Sequence, residues 1–99
     1  MKQALVKVRR HLEHSQFKIG AVFWCGGRQW RCTDIGTRTI VAIRVDRVEV
    51  ESSDGSKRLL DSATAESEGW FRGPPYPVAE IVFDEDDVES CSLEPEEAD

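Results

Sequence analysis

The chain has 99 residues, of which 39% are apolar, and its 13 Lys and Arg residues against 19 Asp and Glu residues give a net charge of −6. This length and apolar content are enough for one domain with one core and exclude two domains. No apolar run approaches the length of a membrane-spanning helix, and the first residues lead into no apolar segment of a secretory signal. We therefore expect a cytoplasmic protein whose cysteines are reduced thiols.

The charges are strongly segregated along the chain. All Lys and Arg residues lie at or before Arg72, whereas ten of the carboxylates lie from Glu80 to Asp99. Residues 1–47 carry a net charge of +7 and residues 73–99 a net charge of −10. This distribution indicates either a nucleic-acid-binding surface that the acidic end shields, or an acidic surface that binds a basic partner. Pairing of the two parts within one chain is a third interpretation.

Residues 3–15 form the first predicted element. Leu5, Val8 and Leu12 have the spacing of one face of a short helix. The same segment also alternates as an edge strand would, so the short N-terminal helix has a competing interpretation.

Residues 17–50 have the alternating pattern of β-strands. Two such stretches flank Gly26 and Gly27. A two-residue Gly-Gly loop indicates a hairpin, because primed turns need positive φ at both central residues. This turn places Phe23 directly opposite Trp30 on the neighbouring strand.

A second turn, at residues 34–37, extends the hairpin to a third strand and places Thr39 opposite Cys32. This register gives the three-stranded meander two faces, because side chains alternate along each strand. The predicted core face carries Phe23, Cys25, Trp30, Cys32, Val41, Ile43 and Val45. The other face carries Trp24, Gln29, Arg31, Thr33, Arg38, Ile40, Ala42 and Arg44.

The rest of the chain predicts short elements separated by irregular segments. The apolar alternation changes phase at residues 46–47, which indicates a bulge or a sharp bend. In chain order there follow a turn at residues 53–56, a strand at 57–60, a mobile loop at 61–69, an irregular aromatic and Pro-rich segment at 70–77, a strand at 77–83 and a helical turn capped by Asp84.

Together these elements predict a mainly β protein with minor α content. We expect residues 1–93 to form a single β-rich domain, a small and partly open SH3-like (Src-homology-type) barrel with a short N-terminal helix. Residues 94–99 are expected to be a disordered acidic tail. Small barrels of this type serve many unrelated binding roles, so the predicted fold alone implies no function.

The polar residues predict no catalytic site, no metal site and no cofactor. Cys25 and Cys32 are too far apart in sequence for the usual zinc spacing and do not oppose each other in the predicted register. His11 and His14 have no recognisable nucleophile as a partner. The acidic residues 84–87 lack the alternating ligands and central Gly of a calcium loop. We therefore expect a protein that is not an enzyme.

One candidate binding surface lies on the outward face of the meander. Small β-folds bind single-stranded nucleic acid through an aromatic ring surrounded by guanidinium groups. The residues of this predicted nucleic-acid-binding face are Trp24, Arg31, Arg38 and Arg44. The same face also carries apolar residues, so the alternative is a covered face that the Arg side chains merely surround.

A second candidate surface combines aromatic and acidic residues near the C-terminus. We expect it to recognise a basic protein partner, as an inhibitor or antitoxin-like protein of a mobile element would. Its residues are Trp70, Phe71, Tyr76, Asp84, Glu85, Asp86 and Asp87. The alternative for the three aromatics is a plug that packs over an open end of the sheet.

Several sequence blocks resemble those of a group of small uncharacterised bacterial proteins. The blocks are FKIG at residues 17–20, WRCTDIGTR at 30–38, GPPY at 73–76 and EIVFDE at 80–85. The resemblance covers residues 17–91 and implies no activity, because the group has no known function.

Overall fold

Six strands and two short helices make up the part of the chain that the computed structural model describes, residues 12–94. The strands are β1 Val22–Cys25, β2 Arg28–Ile35, β3 Ile40–Arg44, β4 Arg47–Glu51, β5 Lys57–Asp61 and β6 Glu80–Phe83; the helices are α1 Ser62–Ser67 and α2 Glu85–Glu89, and a 3-10 turn lies at His14–Gln16. The protein is therefore mainly β, as predicted. Neither helix has the length and apolarity that a bilayer crossing requires.

The strands form two antiparallel sheets that do not close into a barrel. The larger sheet has the order β1-β2-β3-β6, and β4 pairs with β5 as a separate hairpin. The bend predicted at residues 46–47 from the change in apolar alternation is confirmed, because β3 ends at Arg44 and a separate strand, β4, begins at Arg47. Residues 3–11 of the N-terminal helix predicted for residues 3–15 lie outside the described residues, whereas residues 12–15 form no α-helix and lead into the 3-10 turn at His14–Gln16. The predicted tail lies outside the described residues from residue 95 onward.

The first hairpin has the predicted register. Phe23 pairs with Trp30 and Cys25 with Arg28. Gly26 and Gly27 have φ values of 63° and 75°, as a type I′ turn requires.

The predicted register of the second hairpin is wrong. Cys32 pairs with Ala42 instead of Thr39, and the register shifts at a bulge between Cys32 and Asp34. The turn also lies two residues later than predicted, because the Gly36 amide donates to the Thr39 carbonyl at 2.8 Å. An odd shift in register moves every side chain of β3 to the opposite face of the sheet.

As a result, the sheet buries apolar side chains on both faces instead of one. The aromatic core contains Leu12, Phe17, Phe23, Trp30, Cys32, Ile40, Ala42, Phe83, Val88 and Cys91. The hairpin core contains Ile43, Val45, Val48, Leu60, Ala65 and Phe71. Ile40 and Ala42 thus join Phe23, whereas Ile43 and Val45 leave it, which is the reverse of the prediction.

The two helices begin with the same kind of cap. The Asp61 carboxylate accepts a hydrogen bond from the Thr64 amide at 2.8 Å, and the Asp84 carboxylate accepts one from the Asp87 amide at 2.9 Å. The capped turn at Asp84 is confirmed. The mobile loop predicted for residues 61–69 is wrong, because α1 forms there and fully buries Ala65.

Residues 70–77 form neither helix nor strand, as predicted, and their aromatics pack into the hairpin core. Phe71 is buried, and Trp70 and Tyr76 pack against the core while staying partly exposed. The segment packs tightly on itself, because a Cβ at Gly73 would meet Tyr76 ring atoms at 2.5 to 2.7 Å. The three aromatics therefore pack against the core, as the plug interpretation expected, and they do so at the hairpin core.

Candidate functional site

A groove of about 590 Å³ lies between α2, the start of the described chain and the β2–β3 turn, and we call it the acidic groove. Its floor is apolar because it is formed by the side chains of Leu12 and Val88, which are both buried. Exposed carboxylates surround the floor. The lining residues are Leu12, Glu13, His14, Arg38, Glu85, Val88 and Glu89.

Helical periodicity assembles one wall of the acidic groove. Glu85, Val88 and Glu89 follow the spacing i, i+3 and i+4, so α2 presents them on one side. The capping box at Asp84 and Asp87 begins the helix at the residue needed for this arrangement. The acidic first turn of α2 also interacts favourably with the positive end of the helix dipole.

Long-range hydrogen bonds made by Leu12 and His14 hold the opposite wall in place. The Leu12 amide donates to the Cys91 carbonyl at 3.1 Å, which ties the start of the described chain to the residues after α2. His14 Nε2 lies 2.8 Å from the Gly36 carbonyl oxygen and 3.1 Å from that of Thr39. The β2–β3 turn is thereby held beside the groove, and it carries Arg38 on its exposed surface.

The acidic groove carries a net negative charge, and one weak ion pair between Arg38 and Glu85 partly neutralises it. Arg38 Nη1 lies 3.7 Å from Glu85 Oε1, and the two side chains are 76% and 69% exposed. An exposed pair of this kind contributes about 0–1 kcal/mol. Among residues 12–94, no basic side chain forms an ion pair with Asp86 or Glu89. The surface of α2 therefore retains most of its negative charge.

The residues predicted to bind a protein partner do not form one surface. The acidic members, residues 84–87, lie at the start of α2 beside the acidic groove, and all are exposed. The aromatic members lie in and around the hairpin core instead. Trp70 lines a separate groove of about 400 Å³ together with Trp30 and Ile81.

The predicted nucleic-acid-binding face does not assemble either. Arg31 extends toward α1, where its guanidinium lies 2.9 Å from Glu66 Oε1 and 5.9 Å from the centre of the Phe71 ring. Arg44 pairs with Trp30 across the ladder and so lies on the other side of the sheet from Arg31. Arg38 sits in the turn beside α2, and Trp24 is bridged to Ser92 at the edge of β1.

Arg44 is neutralised by its own neighbour. Its Nε and Nη2 atoms donate to the two carboxylate oxygens of Asp46 at 2.5 and 2.9 Å. This bidentate hydrogen bond from Arg44 lowers the pKa of the Asp46 carboxyl. Each of the three arginines of the predicted face thus has a carboxylate partner within the chain, but only Arg38 pairs with the acidic end, through Glu85. The third interpretation of the charge pattern therefore holds for one of the three arginines.

The sequence did not predict that Cys25 and Cys91 lie side by side. Trp24 and Ser92 exchange two backbone hydrogen bonds, of 2.8 and 2.9 Å, and this places Cys25 beside Cys91. Cys91 Sγ lies 3.3 Å and Cys25 Sγ 3.8 Å from the Asp87 carbonyl oxygen. Residues 12–94 contain no cluster of three His, Cys, Asp or Glu side chains that would hold a metal ion. No local sequence signal links two cysteines so far apart in the chain.

Comparison of the chain with protein-family models, with curated proteins and with solved structures finds no match. The resemblance to small bacterial proteins therefore stays a prediction. A functional proposal has to come from the geometry of the acidic groove and its surroundings.

Proposed function

We propose that the protein is a non-enzymatic binding module that recognises a basic segment of a partner protein through the acidic groove. The observation that carries the proposal is the apolar floor of Leu12 and Val88 beneath exposed carboxylates. Lys and Arg side chains combine an aliphatic stem with a charged head, so they match such a groove in both respects. A partner side chain would lay its stem on the floor and direct its head toward Glu85 and Glu89.

The contact between Arg38 and Glu85 supports this mode of binding. The Arg38 guanidinium lies 3.7 Å from the Glu85 carboxylate, and the contact is long and exposed enough to be displaced at little cost. The remaining carboxylates of α2 would attract a basic partner over a distance and raise its association rate at low salt. Added salt would screen this attraction.

The partner class follows from its charge. A basic surface that fits a row of carboxylates is also the type of surface that binds nucleic-acid phosphates. We therefore propose an inhibitor or antitoxin-like role, in which the acidic groove competes with nucleic acid for a basic protein. A cytoplasmic location and a relation to SH3-like barrels are parts of the same proposal, the latter supported by the bend between β3 and β4.

The experiment measures binding of a fluorescent arginine-rich peptide to the full chain by anisotropy at low salt. The test variant is Glu85→Gln/Glu89→Gln, which removes two carboxylates from the groove. We expect its affinity for the peptide to fall about tenfold, which corresponds to about 1.4 kcal/mol. The matched control is Glu49→Gln/Glu51→Gln, which makes the same charge change on exposed positions of β4.

Equal losses in the two variants would show attraction to net charge alone and would overturn the groove as the site. Absence of peptide binding by the original chain at low salt would overturn the proposal as a whole. A labelled single-stranded oligonucleotide tests the alternative function, direct nucleic-acid binding through Trp24, Arg31, Arg38 and Arg44. Tight oligonucleotide binding that Arg31→Ala abolishes would favour that alternative over the groove.

A further inference from the structure

We infer that Cys25 and Cys91 form a dithiol site that closes to an intramolecular disulfide by exchange with a disulfide oxidant. The first observation is the backbone register. Trp24 and Ser92 are a hydrogen-bonded pair of an antiparallel bridge, so the next pair along it is Cys25 opposite Cys91. In such a non-hydrogen-bonded pair the Cα atoms lie about 4.5 Å apart with both side chains on one side. This separation lies within the range of about 4.4–6.8 Å that disulfides span.

The positions of the sulfur atoms are an independent observation. Both thiols approach the same acceptor, the Asp87 carbonyl oxygen, with Sγ distances of 3.3 Å for Cys91 and 3.8 Å for Cys25. Burial raises the pKa of the Cys91 thiol far above its usual value, and the hydrogen bond with Cys25 raises it further. The third cysteine differs, because Cys32 directs its thiol to the Asp34 carbonyl oxygen at 3.4 Å.

Accessibility sets the order of the exchange steps. Cys25 is half-buried, whereas Cys91 and Cys32 are 0% and 1% exposed. The Cys25 thiol loses its proton to solvent, and the thiolate attacks one sulfur of an external disulfide RSSR, forming a mixed disulfide and releasing RS⁻. Cys91 then loses its proton and attacks Cys25 Sγ, which forms the intramolecular bond and expels the second RS⁻. The protein loses two protons and two electrons, and RSSR takes them up to become two RSH.

Closing this bond would tie the end of β1 to the segment that follows α2. The Cys91 carbonyl already accepts the Leu12 amide, so the disulfide would hold three chain segments together. The amides of Trp24 and Ser92 should exchange with solvent more slowly after oxidation, because the hydrogen bonds between these residues open less often. This consequence does not depend on what the acidic groove binds.

The test uses the full chain, reduced and then equilibrated with oxidised glutathione. We expect a mass lower by two hydrogen atoms, a peptide map that links Cys25 to Cys91, and a Cys32 that stays open to alkylation after unfolding. The thermal midpoint of the oxidised chain should rise by about 10 °C or more, because the closed loop is long. The Cys32→Ala variant should behave in the same way as the original chain.

Cys25→Ser provides the complementary variant, and its thermal melt in the reduced state reports whether it folds. Oxidation of this variant should give neither the intramolecular bond nor the rise in thermal midpoint. A bond from Cys25 to Cys32, a predominantly intermolecular disulfide, or a chain that retains all three thiols in excess oxidised glutathione would overturn the inference.

Discussion

The aromatic core and the hairpin core lie on opposite faces of one sheet and are assembled in different ways. The aromatic core draws residues from Leu12 to Cys91, almost the full described length. The buried residues of the hairpin core all come from one stretch, Ile43 to Phe71. Bringing distant segments together costs more chain entropy than closing a local unit. The comparison teaches that the hairpin core is a local unit added to a sheet whose other face is closed by long-range contacts.

Strand β3 belongs to both cores, because its alternate side chains point in opposite directions. Ile40 and Ala42 enter the aromatic core, and Ile43 enters the hairpin core. All three are 0% exposed. Strand β3 therefore connects the two cores. A substitution in either core should show, through its effect on the stability of the other, how strongly the two cores are coupled.

The largest effect is expected for Phe23→Ala in the aromatic core. Phe23 is 1% exposed, and its ring makes T-shaped contacts with Phe17 and Phe83 at centroid distances of 5.0 and 5.6 Å. Truncation removes both contacts and leaves a cavity, which should lower the free energy of unfolding by about 3–5 kcal/mol. Guanidinium titration followed by Trp fluorescence measures this loss. A loss below about 1 kcal/mol would show that the aromatic core does not govern stability.

A smaller and more local effect is expected for Ile43→Ala in the hairpin core. The lost transfer energy and the cavity should cost about 2–4 kcal/mol. If the hairpin core is a local unit, hydrogen exchange should accelerate more at the amides of β4 and β5 than at those of β1 and β2. Equal acceleration in all four strands would contradict this expectation and show that the two cores unfold as one.

The sequence predicted the parts of the fold that depend on near neighbours. Gly26 and Gly27 determine a two-residue turn, so the β1–β2 register follows from local chemistry. The cap at Asp84 is also local, because the carboxylate and the amide it accepts from are three residues apart. The β2–β3 register was missed because a bulge and a later turn are both compatible with the same apolar alternation.

Other features were missed because their cause lies elsewhere in the chain. Helix α1 buries one side chain, Ala65, so it leaves almost no apolar periodicity to recognise. Of the carboxylates that line the acidic groove, Glu85 was predicted as a site residue, whereas Glu13, Glu89 and the groove itself were not. Its floor exists only because Leu12 and Val88, from opposite ends of the described chain, come together in the fold.

The smallest expected effect concerns the bend that joins the two regions. The hydrogen bond from Arg44 lowers the pKa of Asp46, so the folded state favours the ionised carboxylate. This stabilisation is present above the unfolded carboxyl pKa of about 3.9, and it is lost as the pH falls through the lower folded pKa. Asp46→Asn should therefore cost about 0.5 kcal/mol at neutral pH and less in acid, because the side chains are partly solvated.

Chemical denaturation of Asp46→Asn, Arg44→Gln and the double variant at several pH values measures this contribution as a coupling energy. The coupling should be largest near neutral pH and should vanish in strong acid, where the Asp46 carboxyl is protonated. A coupling near zero at every pH would mean that the bend between β3 and β4 is held by packing of Val45 and Val48 instead. In that case the two cores would be joined through apolar contacts alone, and the ion pair would serve only to neutralise Arg44.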